Sequence, residues 1–425
     1  MSKKTVVPKL RFQEFEGNTE WLITVLGDIS VPIEKRTGTK KYTLMSVTSG
    51  VGLIPQVEKF GREIAGSAYK NYIVIQRGDF AYNKSATKLF PEGYIAMLTD
   101  YYEAALPNSI FTCFRITDNQ VCVSFFYHVF QSNYHGSWLR KFIAVGARAH
   151  GSLNVDDKHL WEMPVAIPKL PEQQKIADCL SSLDDLIAAE NKKLDVLKTH
   201  KKGLMQKLFP AEGKTLPQVR FERFTGSWQE KRLEEVTTKI GSGKTPSGGS
   251  ALYLKSGIPL LRSQNITNNN VDLSDVAYIS EATNKTMANS RVQKRDVLLN
   301  ITGASIGRSA VYEYTDLANV NQHVCIIRPD EGVNEQFIQL NLASENGQRQ
   351  IKNNQAGGGR EGINFQKLAG ITFAYPCKTE QIAIGNFFSN FEKQITAQTE
   401  KIETLKLHKK GLMQGLFPSA QEIME

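Results

Sequence analysis

The chain has 425 residues, 41% hydrophobic and 22% charged, which is typical of a folded globular protein with two or three domains. Its formal net charge of +9 fits a polyanionic partner but does not decide on one. The N-terminal residues have no apolar segment like that of a secretory signal, and no stretch approaches the ~20 apolar residues of a membrane span, so a cytoplasmic protein without a membrane partner is expected.

The first recognisable motif in chain order is a short entry segment that occurs twice. Pro8-Lys9-Leu10-Arg11-Phe12 is followed by a tryptophan at position 21, and Pro217-Gln218-Val219-Arg220-Phe221 is followed by a tryptophan at position 228. The repeat therefore begins before any long helix and divides the chain into two similarly built halves.

A long helix is predicted at the end of each half. The heptapeptide HKKGLMQ occurs at 200–206 and again at 408–414, and each copy is followed within four residues by Phe-Pro. Proline cannot continue a helix, so each helix should end there. About 38 residues at ~1.5 Å each predict a rod of ~57 Å.

Both helices carry an apolar seam with steps of three and four, as in a coiled coil. The seam is interrupted at matching positions, Glu190 with Gln398 and Lys201 with Lys409. Such shared interruptions favour two helices packed on each other over two unrelated core helices. The predicted packing residues are Ile176, Leu180, Leu183, Ile187, Leu194, Leu197, Leu204, Ile384, Phe388, Phe391, Ile395, Ile402, Leu405 and Leu412, with Leu208 and Leu416 continuing the seam.

The segments before the helices have diverged almost completely. Short β-branched or alternating runs separated by Gly, Asn and Ser predict mixed α and β domains rich in strands, with some helix, for example 335–346. Asp79 parallels Asp296, and Arg115 parallels Arg328, so a faint common framework remains. The predicted domains are 1–170 and 211–378, and the helical segments are 171–210 and 379–425.

Signals of catalysis are weak. Gly241-Ser242-Gly243-Lys244-Thr245 lacks the first glycine of a phosphate-binding loop, because Thr238 stands there. The seven histidines and five cysteines show no metal-ligand spacing, so no metal site is predicted and the cysteines should be reduced thiols. No methyltransferase or nuclease motif is evident. The chain is therefore predicted to be no enzyme by itself.

The whole arrangement resembles the specificity subunit of type I restriction–modification systems, which act in host defence. The resemblance rests on the duplicated entry motif, the helix start at 171–177, the two HKKGLMQ helices, and several phrases of the second half. Those phrases are Gly243-Lys244-Thr245-Pro246, Arg262-Ser263-Gln264-Asn265-Ile266, Thr302-Gly303-Ala304 and Asn321-Gln322-His323.

The resemblance implies a mixed α+β fold of two target-recognition domains separated by two long antiparallel coiled-coil helices with pseudo-two-fold symmetry. Each domain would read one half of a bipartite sequence in double-stranded DNA, while the helices set the spacing and dock two methyltransferase subunits. Restriction and translocase subunits would join them. DNA methylation with S-adenosylmethionine, and restriction with ATP and magnesium, would belong to those partners, with no cofactor on this chain.

DNA contacts are expected from basic and amide side chains on loops. Asn83 and Asn300 occupy parallel positions, which favours a structural role for them over the lysines and arginines. The predicted contacts are Asn83, Lys84, Lys88, Arg148, Lys244, Arg262, Asn265, Asn300, Arg308 and Arg360.

Two alternatives remain open at this stage. One is a DNA methyltransferase or nuclease with an unrecognised site. The other is a non-catalytic coiled-coil scaffold that gathers proteins without binding DNA. Specific DNA binding distinguishes the specificity subunit from the scaffold, and activity of the isolated chain would identify the enzyme.

Overall fold

The computed structural model describes residues 5–18, 20–65, 67–107, 110–143, 153–267, 269–355 and 362–424. The chain divides into two compact units. Unit 1 comprises Met1–Asn191 with Lys401–Glu425, and unit 2 comprises Lys192–Glu400. Each unit thus contains one of the diverged domains and a segment of both long helices.

Unit 1 contains eleven strands within its described residues. They are β1 (Thr5–Val6), β2 (Trp21–Val25), β3 (Ser30–Pro32), β4 (Met45–Thr48), β5 (Gly52–Pro55), β6 (Ile73–Gln76), β7 (Phe80–Asn83), β8 (Tyr94–Met97), β9 (Glu103–Leu106), β10 (Phe111–Ile116) and β11 (Pro164–Ile167). The short helices of this unit are α1 (Leu26–Ile29), α2 (Gln56–Phe60), α3 (Val123–Gln131), α4 (Tyr134–Leu139) and α5 (Asp157–Trp161).

An antiparallel sheet with the order β3-β10-β7-β8 forms the centre of unit 1. Its inner strand β7 is buried along its whole length, as expected of a short run that is apolar except for Asn83 at its end. Phe80 stacks on Phe114 of β10 with ring centroids 5.3 Å apart, and Phe130 of α3 meets both rings edge-on. This aromatic cluster holds α3 against the sheet.

Unit 2 contains twelve strands in the part of the chain that the structure describes. They are β12 (Gln229–Arg232), β13 (Thr237–Ser242), β14 (Ile258–Leu261), β15 (Ile266–Thr267), β16 (Asn270–Val271), β17 (Ala277–Ile279), β18 (Arg291–Val292), β19 (Val297–Asn300), β20 (Ser309–Val311), β21 (Ala318–Val320), β22 (Val324–Pro329) and β23 (Thr372–Tyr375). Its shorter helices are α7 (Glu281–Lys285), α8 (Glu335–Ala343), α9 (Glu345–Asn353) and α10 (Phe365–Ala369).

Two four-stranded sheets organise unit 2. The sheet β13-β22-β19-β20 is antiparallel throughout, like the central sheet of unit 1. The second sheet, β17-β14-β21-β18, contains one parallel pair, β14 with β21. The common framework is therefore the antiparallel sheet, and the divergence between the domains lies in what surrounds it.

The helix predicted at 335–346 is two helices. Ser344 ends α8 and caps α9, because its hydroxyl accepts a hydrogen bond from the backbone N–H of Gly347 at 3.1 Å. Serine favours such capping positions over helix interiors because its side chain competes for backbone groups. The run of helix formers alone did not reveal this break.

The two long helices are α6 (Leu170–Leu208) and α11 (Lys378–Leu416), each of 39 residues. Each ends two residues before the proline of its Phe-Pro pair, as predicted. In unit 1, Lys409 contacts Asp184 and Lys401 contacts Glu190, so the two helix segments run antiparallel there. The predicted mixed α+β fold with two long helices is confirmed, and a five-residue helix α12 (Ala420–Met424) follows α11.

Two buried histidines should make the protein sensitive to acid. Burial lowers the pKa of His128 to about 3, with the Lys409 charge adding to the effect, and burial lowers the pKa of His135 to about 4. The ordinary pKa of a histidine side chain is 6.5, so below about this pH the unfolded chain binds more protons than the folded chain. We expect the free energy of unfolding to fall as the pH drops from about 6.5 towards 4, by up to ~1.4 kcal/mol per pH unit and histidine.

Urea unfolding near pH 7 and about pH 5 measures this loss. His135→Gln is the informative variant, because glutamine can still donate to the Gly93 carbonyl that His135 contacts at 3.3 Å but takes up no proton. The variant should lose less stability on acidification than the wild type. An unchanged pH dependence would show that His135 does not contribute.

Candidate nucleic-acid interface

A turn and an ion pair are shared by the two domains. Gly78 and Arg295 both adopt a positive φ, of 90° and 77°, directly before the buried carboxylates Asp79 and Asp296. Arg115 pairs with Asp79 at 2.6 Å, and Arg328 pairs with Asp296 at 2.7 Å. The side-chain hydrogen bond to the carboxylate raises the pKa of each arginine. These parallel residues of the sequence are thus structural.

The motif loops of the second domain meet at one end of its sheets. Leu261 and Val320 pair at the ends of the parallel strands β14 and β21, so the loops that follow them emerge side by side. The backbone N–H of Asn321 donates to the Leu261 carbonyl at 3.0 Å, and the N–H of Ile301 donates to the His323 carbonyl at 3.0 Å. Residues 262–265, 301–303 and 321–323 therefore form one surface.

Gly243 brings the Gly-Lys-Thr loop to the same surface. A Cβ atom at this position would lie 1.7 Å from the Val320 carbonyl oxygen. No side chain fits there, so the glycine serves a close approach of β13 to β21. This packing explains the glycine that resembled part of a phosphate-binding loop.

A polar cluster lies on this surface that the choice of candidate contacts missed. Thr245 hydrogen-bonds Gln322, the Gln322 amide lies 3.1 Å from His323 Nε2, and the Thr302 hydroxyl lies 2.6 Å from His323 Nδ1. The sequence offered a signal, because these residues belong to the motifs that carry the family resemblance. Thr245, Thr302, Gln322 and His323 are not among the predicted contacts, because their sequence positions alone do not indicate that they meet at one place.

The predicted contacts of unit 2 differ in exposure. Lys244 and Arg308 are exposed, and Arg262 is half-buried with its guanidinium 5.7 Å from the Tyr253 ring centroid. Asn265 and Asn300 are buried at 2% and 0% exposure. Arg360 lies outside the described residues.

The two buried asparagines of unit 2 make internal hydrogen bonds. Asn265 accepts from the Arg262 N–H at 3.0 Å and donates to the Asp272 and Asp275 carbonyls. Asn300 donates to the Ser263 carbonyl at 2.9 Å. Their placement favours a structural role over the predicted DNA contact.

Three of the predicted contacts of unit 1 lie at the end of strand β7 and in the loop after it. Asn83 ends the strand and is buried, Lys84 pairs with Asp157 at 2.6 Å, and Lys88 is exposed on the following loop. The Lys84 N–H donates to the Ile110 carbonyl at 3.1 Å, much as Ile301 bonds its neighbour in unit 2. Arg148 lies outside the described residues.

None of the predicted seam residues is exposed. Ile176, Leu180, Leu194, Ile384, Phe388 and Ile402 are buried, and the other eight are half-buried. The ends of the seam do more than pair the helices. Ile176 and Leu180 join the core of unit 1 together with Leu412 and Leu416, whereas Leu204, Leu208, Ile384 and Phe388 join the core of unit 2.

The polar interruptions of the seam have partners. In unit 1, Lys409 donates to Asp184 at 2.6 Å and to Gln131 of α3 at 2.8 Å. In unit 2, Lys201 pairs with Glu392, which also accepts from Asn269 at 2.7 Å. Each trio joins both long helices to the domain of its unit. The first lysine of each HKKGLMQ pair is therefore internal and is not free for a partner.

The arginine of each entry motif forms an ion pair with a buried glutamate at the start of a long helix. Arg11 makes two hydrogen bonds of 2.7 Å to Glu172 at the start of α6, and Arg220 makes two of 2.6 Å to Glu380 at the start of α11. The side-chain hydrogen bond to the carboxylate raises the pKa of both arginines. The repeated motif thus attaches each domain's entry segment to a long helix.

The described residues contain no group of three or more His, Cys, Asp or Glu side chains arranged to hold a metal ion. The same part of the chain has no helix both long and apolar enough to cross a membrane.

Comparison with known families decides the classification. The family model for the type I restriction modification DNA specificity domain matches residues 61–199 and 226–407, more than half of the chain. The chain belongs to the type I restriction–modification specificity family. A relative from Methanocaldococcus jannaschii, the type I restriction enzyme MjaVIII specificity subunit, is 25% identical over 284 residues. That alignment covers 65% of this chain and 66% of the relative, just under two thirds of its length.

Solved structures share the fold of this specificity-family chain. One comes from a study of complex assembly and conformational transition of the type I R-M system, with a TM-score of 0.56 and 17% identity over 94% of this chain and 98% of that one. Another is the type I restriction-modification system S subunit from M. genitalium, with a TM-score of 0.55 and 15% identity over 97% and 99%. Membership of a specificity family agrees with the prediction that the chain is not itself the catalyst.

Proposed function

We propose that this chain is the DNA-recognition subunit of a type I restriction–modification complex. Each domain reads one half of a bipartite double-stranded DNA target. The observation that carries the proposal is that two domains with different surroundings are mounted on one repeated framework. That framework comprises the shared sheet, the Asp–Arg turn and the Arg–Glu attachment to a long helix.

Mapping methylated adenines in the genome of a host that carries this gene and its partners tests the proposal. The expected result is a motif of two short defined halves separated by a gap of constant length. A continuous motif without a gap, or specific methylation that persists after deletion of this chain alone, contradicts it. Methylation or cleavage of DNA by the purified chain alone would instead support the enzyme alternative.

The positively charged and exposed side chains are the best candidates for DNA contact. Lys88, Lys244 and Arg308 are exposed. Lys84 and Arg262 are half-buried and are weaker candidates. Arg148 and Arg360 stay predictions from the sequence. Cations at these places would chiefly contact phosphates, and the neutral side chains near them would contribute to base recognition.

Two methyltransferase subunits are the proposed protein partners, with restriction and translocase subunits joining them. The support is the repetition of the heptapeptide, whose outward residues His200, Lys202 and Gln206 recur as His408, Lys410 and Gln414. Equivalent surfaces suit equivalent partners. S-adenosylmethionine, ATP and magnesium would be bound by those partner subunits and not by this chain. The complex would work in the cytoplasm, where chromosomal DNA is accessible.

The long helices are proposed to set the gap between the half-sites. Inserting four helix-forming residues after Glu190 should lengthen α6 by ~6 Å, or between one and two base pairs at ~3.4 Å each. We expect the methylated motif to gain that gap while both halves stay unchanged. Methylome sequencing checks it, and an active complex with an unchanged gap contradicts the proposal.

A further inference from the structure

A cleft of about 560 Å³ lies in unit 1 beside the loop that follows β7. One wall comes from β4 and the turn after it, and the other from residues 83–89. Five hydroxyl side chains line it, together with Asn83, two lysines and the apolar Leu89. This cleft therefore lies where the predicted contacts of unit 1 are placed.

The charge of this cleft distinguishes it from a cleft of similar size in unit 2. Lys59 and Lys88 line the cleft in unit 1, and its lining includes no carboxylate. The cleft of about 670 Å³ in unit 2 is lined by Glu313, Glu392 and Glu400 with a single lysine. Like charges repel and opposite charges attract, so a polyanion is drawn to the first cleft and not to the second.

Lys59 is held in place without a counter-charge. It lies on α2, and its ammonium donates to the Ser46 hydroxyl at 3.2 Å and to the Val47 carbonyl at 3.1 Å. No ion pair with a described carboxylate accompanies these neutral bonds, and burial lowers the pKa of Lys59. The only other charge-stabilising contact is the Phe60 ring, whose centroid lies 5.2 Å from the ammonium nitrogen, so an anion in the cleft would add an ion pair that the described residues do not supply.

Asn83 and Leu89 give the cleft a polar floor and an apolar rim. Asn83 is 8% exposed, and its Oδ1 atom accepts no hydrogen bond from the described protein. Leu89 is 79% exposed on the same loop as Lys88. The Asn83 amide is therefore part of the buried floor of the cleft, whereas the exposed aliphatic side chain of Leu89 suits the methyl group of thymine.

We propose that this cleft holds one strand of the DNA half-site read by unit 1. Lys59 and Lys88 contact phosphate oxygens, while Leu89 faces base edges. The inference rests on the proposed function, because it assumes that unit 1 reads DNA. It adds Lys59 and Leu89 to the contacts, two residues in segments that carry no repeat or motif.

Salt-dependent DNA binding tests the two lysines. The full-length chain, assembled with its methyltransferase subunits, binds a duplex that carries the motif found by methylome mapping, over a series of salt concentrations. Lys59→Met and Lys88→Met should each reduce the slope of log K against log salt by about one and weaken binding to all duplexes to a similar degree.

Lys35→Met is the matched control. Lys35 is also an exposed lysine of unit 1, but it already pairs with Glu103 at 2.5 Å, so its loss should leave the slope unchanged. Two outcomes overturn the proposal. In one, the Lys59→Met and Lys88→Met complexes have the same slope of log K against log salt as the wild type. In the other, Lys35→Met reduces the slope as much as they do. A wild-type complex that does not prefer the motif to a scrambled duplex refutes the proposed function instead.

Leu89→Ala tests base recognition separately. Methylome sequencing of a host with this variant should show relaxed preference at one or two positions in one half of the motif only. The other half and the gap should be unchanged, because they depend on unit 2 and the helices. An unaltered motif, or loss of preference in both halves, counts against Leu89 as a base contact.

Discussion

Replacing Glu380 with glutamine should lower the free energy of unfolding by about 3–5 kcal/mol. Glu380 is fully buried and binds Arg220 through two hydrogen bonds of 2.6 Å, so the variant leaves an arginine that is 19% exposed without its anion. Removing one member of a buried ion pair is far more costly than removing the pair, because the remaining charge stays desolvated. Urea unfolding followed by circular dichroism measures the change.

The matched control for Glu380→Gln is Glu234→Gln. Glu234 pairs with Arg232 at 3.2 Å, but both side chains are at least half exposed, so water replaces the lost partner. That variant should change stability by less than about 1 kcal/mol. Similar losses for the two variants would show that the Arg220–Glu380 attachment does not behave as a buried pair.

Replacing Gly243 with alanine should disrupt recognition by unit 2 while leaving unit 1 able to read its half-site. The new Cβ would lie 1.7 Å from the Val320 carbonyl oxygen, a backbone atom that cannot rotate away. The end of β13 must therefore move, and with it Lys244, whose N–H donates to the Ser290 hydroxyl at 3.2 Å. Stability should fall by about 1–3 kcal/mol, as for other overpacked sites.

Competition binding with half-site variants of the target measures the effect of Gly243→Ala on recognition. The variant complex should discriminate poorly between correct and incorrect bases in one half and normally in the other. Gly241→Ala is the control, because a Cβ at Gly241 meets nothing within 4 Å. Its expected effect is neutral or slightly stabilising. Equal behaviour of the two variants would contradict the close-approach explanation.

The long helices were predictable because their signal is local. Apolar residues three and four apart describe one face of a helix wherever the chain goes, and Pro210 and Pro418 fix where each helix must end. The partners of the polar seam residues were not predictable in the same way. Lys409 meets Asp184 across a long sequence separation, and a charge pattern does not state which distant carboxylate will be near.

The entry motifs illustrate a signal that was visible but incomplete. Arg11 and Arg220 recur, and so do Glu172 and Glu380, in the two halves. Repetition alone marks all four residues as important, yet it cannot distinguish a bond within the protein from a contact with a partner. Their distances and burial do so.

The candidate DNA contacts also show that residue type alone does not separate internal side chains from exposed ones. Asparagine, lysine and arginine are sensible choices for DNA, but Asn265 and Asn300 are turned inward to neighbouring carbonyl groups. Conversely, Lys59 lies in a diverged segment without repeat or motif, and only its position in the cleft of unit 1 draws attention to it.

The amino-acid sequence by itself determined the duplication, the two long helices, the mixed α and β character of the domains and the family resemblance. All of these are properties of order and spacing along one chain. The tertiary structure decided which repeated polar residues are internal bonds, why Gly243 must be glycine, and where unit 1 has a positively charged cleft. Those properties depend on distances between residues far apart in sequence and on the solvent exposure that folding leaves to each of them.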